Sequence, residues 1–145
     1  MTPVRTMRVT GFANGGAGIA HDDEGRVVFV SGALPGEVVR VQIDEQKASF
    51  ARARAVEIVD ASAHRVDPLC PAAAAGAGCC DLSYATPSYA VQLRASALTD
   101  VLTRIGGFTP GADGLPAPRV RGLDGSPTRW RVRTRLAVGS DGVPG

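Results

Sequence analysis

The sequence predicts a mainly β fold that opens with an OB-like barrel of five strands and continues into a module of a different kind. Three observations lead to this prediction. Apolar and polar residues alternate in two segments before residue 60, Gly- and Pro-containing turns separate short apolar runs, and a Pro-, Ala- and Gly-rich segment with cysteines follows. Several short strands at this spacing fit a barrel better than an open sheet, because closure leaves no exposed strand edge.

The first strands of the barrel are short. Residues 7–11 are strand-like, and residues 26–30 are apolar and β-branched. The polar stretch 22–25 between them ends in a glycine suited to a turn. A second turn is predicted at 34–37, where the sequence reads Leu-Pro-Gly-Glu. Proline presets φ at the second position of such a turn, and glycine accepts the left-handed backbone at the third.

Two longer strands follow, and each alternates with the period of a half-buried strand. Their inward side chains are predicted to be Val39, Val41, Ile43, Ala51, Ala53 and Ala55. Small residues such as these alanines suit the narrow interior of a small barrel. Arg52 and Arg54 occupy the alternate positions and are therefore predicted to point outward.

The second module, residues 61–145, begins without periodicity. Residues 62–85 are predicted to be irregular, and a helix is predicted from Pro87, capped by Thr86 and ended by Gly106 and Gly107. Its apolar stripe is predicted to consist of Val91, Leu98, Val101, Leu102 and Ile105. After a Pro- and Gly-rich loop, residues 129–138 alternate like the first strand of an incomplete α+β domain, so we expect the sequence to be truncated.

Composition narrows the class of protein. The net charge of +2 does not by itself indicate a nucleic-acid or membrane partner, and the chain has neither a signal-like N-terminus nor a long apolar run. Its three cysteines, two of them adjacent, do not make the disulfide framework of a small secreted domain. We therefore expect a cytoplasmic protein with no membrane partner, and a monomer as the default state.

Several short motifs occur in a characteristic order. They read GGAGIA at 15–20, VFV at 28–30, ALPGE at 33–37, RVDP at 65–68 ahead of Cys70, CDL at 80–82, and Tyr89 followed by Gln92 and Leu93. In this order the chain resembles, over roughly residues 9–108, the N-terminal part of bacterial RNA uracil-5-methyltransferases of the branch that carries a TRAM domain.

The resemblance implies an RNA-binding TRAM domain over residues 1–60, a central domain, and a C-terminal domain that binds S-adenosylmethionine. In that family a cysteine adds to C6 of the target uracil so that C5 accepts the methyl group. The resemblance places these catalytic and cofactor-binding residues beyond Gly145, so no residue here is assigned to methyl transfer and the chain alone is predicted to be inactive.

The resemblance also indicates which nucleic acid the protein binds. Ribosomal RNA is favoured, because relatives that act on tRNA generally lack the TRAM domain, and no DNA partner is expected. The alternative is a standalone TRAM or OB-type protein that binds RNA without catalysis. Residues 70–108 favour the enzyme, because an independent barrel has no use for that segment.

Candidate RNA-contacting residues are basic or aromatic, since RNA is bound by cations on phosphates and by aromatic faces on bases. They are Arg26, Lys47, Phe50, Arg52 and Arg54. In the alternative interpretation, Arg52 and Arg54 form a solvated face paired with Glu37 or Glu57. Phe29, on the strand of Arg26, could join this surface, but it is expected to belong to the core. The arginines of 129–135 are candidates for phosphate contact or for the polar face of a strand.

The cysteines are the candidate metal ligands. Many relatives hold a 4Fe-4S cluster with a C-x5-C-x2-C run and a later fourth cysteine, and by this resemblance Cys70 and Cys80 match the first and third ligands. The second would fall near Ala77, while Cys79 stands where glycine is usual. Either the cluster site is displaced or it has been lost, and we expect the loss. A zinc site is less favoured, because His21 and His64 are not spaced as ligands.

Overall fold

A computed structural model describes residues 4–75, 80–109, 111, 112, 114, 116–125, 138, 140 and 142. Its strands are β1 (Val4–Arg8), β2 (Gly11–Phe12), β3 (Gly18–His21), β4 (Val27–Ser31), β5 (Val38–Gln46) and β6 (Phe50–Asp60), and its helices are α1 (Pro71–Ala74) and α2 (Pro87–Arg104). The strand predicted at 129–138 lies outside the described residues except for Val138.

The six strands form one sheet in the order β1-β5-β6-β4-β3-β2, in which β4 and β6 run parallel and the other pairs are antiparallel. Its two edges, β1 and β2, are consecutive parts of one chain segment. At the joint, the Val9 N–H donates to Glu37 O at 2.9 Å and the Thr10 N–H donates to Ile19 O at 2.7 Å. The sheet therefore curls until the first segment borders both β5 and β3.

This arrangement confirms the predicted mainly β, OB-like fold. The number of strands differs from the five predicted, because the first strand bends at Val9 and Thr10 and is divided into β1 and β2. With β1 and β2 counted as one bent strand, five strands surround the interior, as in the Greek-key barrel of OB folds.

The barrel interior is filled by one alternate set of side chains. Its buried members are Met7, Val9, Ala20, Val28, Val30, Ala33, Val39, Val41, Ala51 and Ala53, with Ile43, Ala55 and Ile58 packed against them. The prediction for β5 and β6 is thus confirmed. Gly18 permits the closest approach, since a Cβ there would lie 2.7 Å from Val9 Cγ1 and 3.1 Å from the Ala33 carbonyl oxygen.

A second apolar cluster joins the barrel to the following module. Its buried members are Leu34, Leu82, Ala85 and Leu93, and Phe12, Tyr84, Tyr89 and Ala90 pack around them. Leu34 belongs to the predicted turn, in which the Glu37 N–H donates to Leu34 O at 3.2 Å and Gly36 has φ of 90°. The turn therefore inserts Leu34 between the barrel and α2.

Helix α2 begins at Pro87, as predicted, but its buried face differs from the prediction. Leu93 and Ala97 are buried, whereas Ile105 is 82% exposed and Leu98 is 39% exposed. The predicted stripe was therefore wrong for these two residues, whereas Val91, Val101 and Leu102 are half-buried. Apolar spacing does not reveal which face meets the small patch offered by Leu34. Thr86 occupies the N-cap position without a side-chain capping bond, which corrects a second expectation.

The segment between the barrel and α2 is less irregular than predicted. It contains the short helix α1 and a bridge between Arg65 and Ala85. Around this bridge, the Val66 N–H donates to Tyr84 O at 3.0 Å and the Thr86 N–H donates to His64 O at 2.9 Å. Among the described residues, no helix has the length and apolar character needed to cross a membrane.

Candidate nucleic-acid interface

The outer face of the barrel carries an aromatic–basic surface, which consists of Phe29, Lys47, Phe50 and Arg52. The rings of Phe29 and Phe50 meet edge to face, with their centroids 5.8 Å apart. Lys47 Nζ lies 5.3 Å and the Arg52 guanidinium carbon 5.6 Å from the centre of the Phe50 ring. The Phe50 ring is thus close to a second ring and to two cations.

Backbone pairing brings these side chains together. In the parallel pairing of β4 and β6, Phe29 is opposite Arg52 and Val27 is opposite Phe50. Lys47 lies in the connection between β5 and β6, where its N–H donates to Phe50 O at 2.8 Å. The surface therefore rests on two neighbouring strands and a tight hairpin, which limits its freedom to rearrange.

Phe29 corrects an expectation. Its neighbours Val28 and Val30 are almost completely buried and belong to the barrel core, whereas Phe29 is half-buried on the opposite face. An aromatic residue in an apolar run was expected to be core, but the two-residue period of the strand turns it outward. Phe29 thus lies on the outer surface, and the preferred expectation of a core position was wrong.

Carboxylates accompany the cations of this face. Arg52 Nε lies 3.4 Å from Glu45 Oε2, and Lys47 Nζ lies 3.0 Å from Glu45 Oε1. Further along β6, Arg54 Nη1 lies 3.2 Å from Asp44 Oδ1. Exposed ion pairs contribute about 0–1 kcal/mol and weaken with salt, so a phosphate can replace these carboxylates at small cost.

The acidic partners differ from those considered in the alternative interpretation. Glu57 pairs with Arg40 at 2.9 Å, and Glu37 is buried beside Arg65. Neither is the partner of Arg52 or Arg54 because β5, through Asp44 and Glu45, lies directly beside β6. The assignment of these arginines to RNA contact stays a prediction.

Arg26 lies apart from the aromatic–basic surface. Its Nη2 donates to Glu24 Oε2 at 2.7 Å, and its Nη1 lies 3.7 Å from Asp22 Oδ2. These contacts hold the side chain at the turn before β4. The structure thus brings Lys47, Phe50 and Arg52 together, with Arg54 two residues further along β6, and leaves Arg26 at a separate turn.

A buried ion pair that sequence reasoning missed joins two of the recognised motifs. Glu37 is fully buried, and its carboxylate accepts hydrogen bonds from Arg65 Nε at 2.6 Å and Arg65 Nη2 at 2.7 Å. It also accepts from the backbone N–H groups of Leu34 at 2.8 Å and Ser62 at 3.1 Å. The ALPGE and RVDP motifs are therefore parts of one polar contact, which sequence spacing alone does not reveal.

Arg65 is held from several sides. Its Nη2 also donates to Gly32 O at 2.8 Å, and its guanidinium carbon lies 4.8 Å from the centre of the Tyr84 ring. Burial raises the pKa of Tyr84 above its usual range. The pair thus connects the end of β4, the turn before β5 and the segment leading to α2.

The pKa of Glu37 shows which influence dominates. Burial alone would raise this pKa, but the Arg65 guanidinium and the N–H groups of Leu34 and Ser62 outweigh burial, so the pKa lies below its usual 4.5. A carboxylate with a lowered pKa stabilises the fold above its unfolded-state pKa, and that contribution is lost as the pH falls through the folded-state value.

We therefore predict acid-sensitive stability that depends on Glu37. In urea unfolding, the advantage of the parent over Glu37→Gln should be full at about pH 6 and shrink as the pH is lowered towards about 3. Glu57→Gln is the matched control, because its pair is exposed and should give a small difference at every pH. A parent advantage over Glu37→Gln that stays constant across this range would contradict the prediction.

The cysteines do not form a metal site within the described residues. Cys70 is half-buried at the start of α1, and Cys80 is exposed, whereas Cys79 and the position near Ala77 lie outside the described residues. In the part of the chain described by the structure, no three His, Cys, Asp or Glu side chains are placed to hold a metal. Two thiolates do not complete a 4Fe-4S cluster, which needs four ligands.

The histidines considered as further ligands belong to no metal-binding group among the described residues. His21 is exposed at the end of β3. The His64 ring stacks on the Tyr89 ring, with centroids 4.1 Å apart and an interplanar angle of 14°. Both histidines are exposed at the protein surface.

Comparisons with known proteins match the barrel and the segment beyond it. A TRAM domain is recognised over residues 4–56. An uncharacterized RNA methyltransferase of Corynebacterium efficiens is 48% identical over 140 residues, which cover 97% of this chain and 32% of that protein. A 23S rRNA (uracil(1939)-C(5))-methyltransferase of Alkalilimnicola ehrlichii is 41% identical over 132 residues, covering 91% of this chain and 28% of that protein.

A relative from another bacterium has the same name as the Alkalilimnicola protein. A 23S rRNA (uracil(1939)-C(5))-methyltransferase of Shewanella halifaxensis is 46% identical over 99 residues, covering 68% of this chain and 22% of that protein. The chain therefore spans about a third or less of the length of these relatives. The similarity to the first of them includes the cysteine segment and α2 as well as the barrel.

Proposed function

We propose that the chain belongs to the bacterial RNA methyltransferases that carry a TRAM domain, and that its barrel binds single-stranded or looped RNA through the aromatic–basic surface. In this proposal the RNA is ribosomal and the reaction served is methyl transfer from S-adenosylmethionine to C5 of a uracil. The role of these residues is to hold the substrate. The names of the relatives support both the RNA class and the chemistry.

The observation that carries the proposal is the position of Phe50. Its ring lies on the outer barrel face beside Phe29, with Lys47 Nζ 5.3 Å and the Arg52 guanidinium carbon 5.6 Å from its centre. Stacking of one base on an aromatic side chain contributes about 1–3 kcal/mol, and nearby cations attract the phosphates on either side of that base. OB folds bind oligonucleotides on this part of the barrel, near the loop between the fourth and fifth strands, which here contains Lys47.

A standalone RNA-binding protein is the second candidate. One observation favours the enzyme: Leu34 of the barrel and Leu93 of α2 belong to the same buried cluster. The module after the barrel is therefore integrated with it, as expected for a part that orients the barrel relative to further machinery. In this proposal S-adenosylmethionine supplies the methyl group, and no residue of this chain is assigned to bind it.

We predict that Phe50→Ala lowers the affinity for a single-stranded oligouridine by about 5- to 150-fold, because one stacking contact of about 1–3 kcal/mol is lost. Fluorescence anisotropy with a labelled oligonucleotide measures the affinity directly. Phe50→Tyr should retain most of it, since the ring remains, and Val59→Ala, at an exposed position of the same strand, should leave it unchanged. Equal affinities for parent and Phe50→Ala would contradict the assignment of this surface.

We also predict that the double variant Arg52→Ala/Arg54→Ala binds RNA more weakly and with a shallower salt dependence. Each phosphate contact that is lost should reduce the slope of log affinity against log salt by about 0.7, hence about 1.4 for two contacts. Arg5→Ala/Arg40→Ala is a charge-matched control on β1 and β5. If both double variants lower the slope equally, the effect is one of net charge and the β6 arginines are not the contact.

A further inference from the structure

A cleft of about 180 Å³ lies between the barrel and α2, apart from the aromatic–basic surface. Buried Leu82 and Ala97 and half-buried Phe12 supply an apolar lining, and exposed Asn14, Asp81 and Arg94 add polar groups. Apolar walls with a few polar groups are the usual composition of a small-molecule site. The cleft therefore offers a ligand both apolar contact and polar partners.

The size of the cleft limits its ligand. Sites for drug-sized molecules have volumes of about 300–1,000 Å³, so a cleft of this volume does not enclose a complete cofactor such as S-adenosylmethionine. A single flat ring that leaves its sugar and phosphate outside is a better match. The polar groups agree with such a ring, because the amide of Asn14 can both donate and accept hydrogen bonds at a base edge and Asp81 can accept.

Arg94 supplies the cation for the phosphate of such a nucleotide. It is exposed on α2, and among the described residues no carboxylate lies within ion-pair distance of it. The arginines of β6 and of the turn before β4 differ, since Arg52, Arg54 and Arg26 each have a carboxylate partner. Arg94 can therefore bind a phosphate without first releasing an acidic partner.

A close approach shapes the cleft. Gly16, in the loop between β2 and β3, has φ of 86°, and a Cβ at this position would lie 3.2 Å from Asp81 Cβ. A side chain at residue 16 would therefore crowd Asp81 and strain the backbone, so glycine favours this close approach of the loop to the segment before α2. This loop joins the first and second strands of the five-stranded barrel, and OB folds use that loop, as well as the one that contains Lys47, to bind oligonucleotides.

An RNA strand bound at Phe50 can also reach the cleft. Phe50 pairs with Val27 at one end of β4, and Gly18, the first residue after the loop, pairs with Val30 towards the other end. Three residues of strand correspond to about 10 Å, so an RNA strand of a few nucleotides that follows the outer face can extend from Phe50 to the loop.

We propose that this cleft accepts one unstacked base of the bound RNA, with Arg94 on its phosphate and Asn14 and Asp81 at its edge. This second nucleotide site rests on the proposed RNA-binding function and extends it, because it makes α2 part of the substrate surface. RNA whose bases are unpaired is thereby preferred to a regular duplex, since paired bases are not free to enter a cleft.

The test uses the complete chain and a labelled single-stranded oligouridine of about ten nucleotides, within the site sizes seen for OB folds. Arg94→Gln and Asn14→Ala should each weaken binding by about fivefold or more, since each loses a hydrogen bond to the RNA. Arg104→Gln, on the same helix and paired with Asp100, and Gln92→Ala, outside the cleft lining, are the matched controls and should bind like the parent. Thermal unfolding should be unchanged for Arg94→Gln, because the side chain is exposed.

NMR titration of the chain with the same oligouridine should shift the backbone amides of Asn14, Gly16 and Leu98, and a matched RNA duplex should not. If Phe50→Ala weakens binding while Arg94→Gln and Asn14→Ala bind like the parent and these amides stay in place, the cleft holds no nucleotide and the barrel surface alone binds RNA. If the parent binds no oligouridine at all, the proposed function fails, and the second site fails with it.

Discussion

Replacing Arg65 by Met should lower the free energy of unfolding by about 3–5 kcal/mol, because the substitution leaves the Glu37 carboxylate buried without its cation. Glu37 is fully buried and receives two of its four hydrogen bonds from Arg65. Since domains of this size have total stabilities of about 5–15 kcal/mol, the variant should be at the limit of folding. Urea unfolding followed by circular dichroism measures the effect.

Two further variants distinguish the effect of breaking the buried ion pair from the effect of removing any positive charge. Arg40→Met removes the partner of Glu57 in an exposed pair and should cost no more than about 1 kcal/mol. Arg65→Met/Glu37→Met removes both buried charges and should recover part of the lost stability, although the N–H groups of Leu34 and Ser62 then lack their acceptor. A loss for Arg65→Met no larger than that for Arg40→Met would show that the pair does not hold these segments together.

Leu34→Ala should lower the free energy of unfolding by about 2–5 kcal/mol, the cost of removing a fully buried leucine from a close-packed site. Leu34 is the barrel residue that is buried in the second cluster with Leu82, Ala85 and Leu93. Its loss should therefore loosen the contact between the barrel and α2 more than the barrel interior. Amide hydrogen exchange should increase in α2 and change little in β5 and β6.

The control for this variant is Val59→Ala, at an exposed position that belongs to neither cluster and should change stability by less than about 0.5 kcal/mol. Uniform acceleration of exchange across β5, β6 and α2 would indicate that the barrel and helix unfold as a single unit. Unchanged exchange in α2 together with unchanged stability would remove Leu34 from the joint between the modules.

The barrel could be predicted from the sequence because its information is local. The alternation of Val39, Val41 and Ile43 and of the alanines of β6 determined which side chains face inward, and the turn at 34–37 follows from proline and glycine. The start of α2 at Pro87 is equally local, since proline tolerates only the first turn of a helix. Each of these features depends on residues a few positions apart.

Features that depend on distant residues could not be predicted in the same way. The outward position of Phe29 follows from the strict period of β4, but its contact with Phe50 requires the parallel pairing of β4 with β6. The face that α2 buries depends on where Leu34 is placed, so a stripe drawn from the helix sequence alone selected Ile105, which is exposed.

By itself, the sequence determined the class of fold, the inward and outward faces of β5 and β6, and the resemblance to TRAM-containing proteins, because periodicity, turn residues and ordered motifs are readable along the chain. Only the tertiary structure decided that Glu37 pairs with Arg65, that Lys47, Phe50 and Arg52 share one surface, and that a cleft opens beside Arg94. The physical reason is that buried charge pairing, aromatic contact and concave shape arise between segments that only the folded chain brings together.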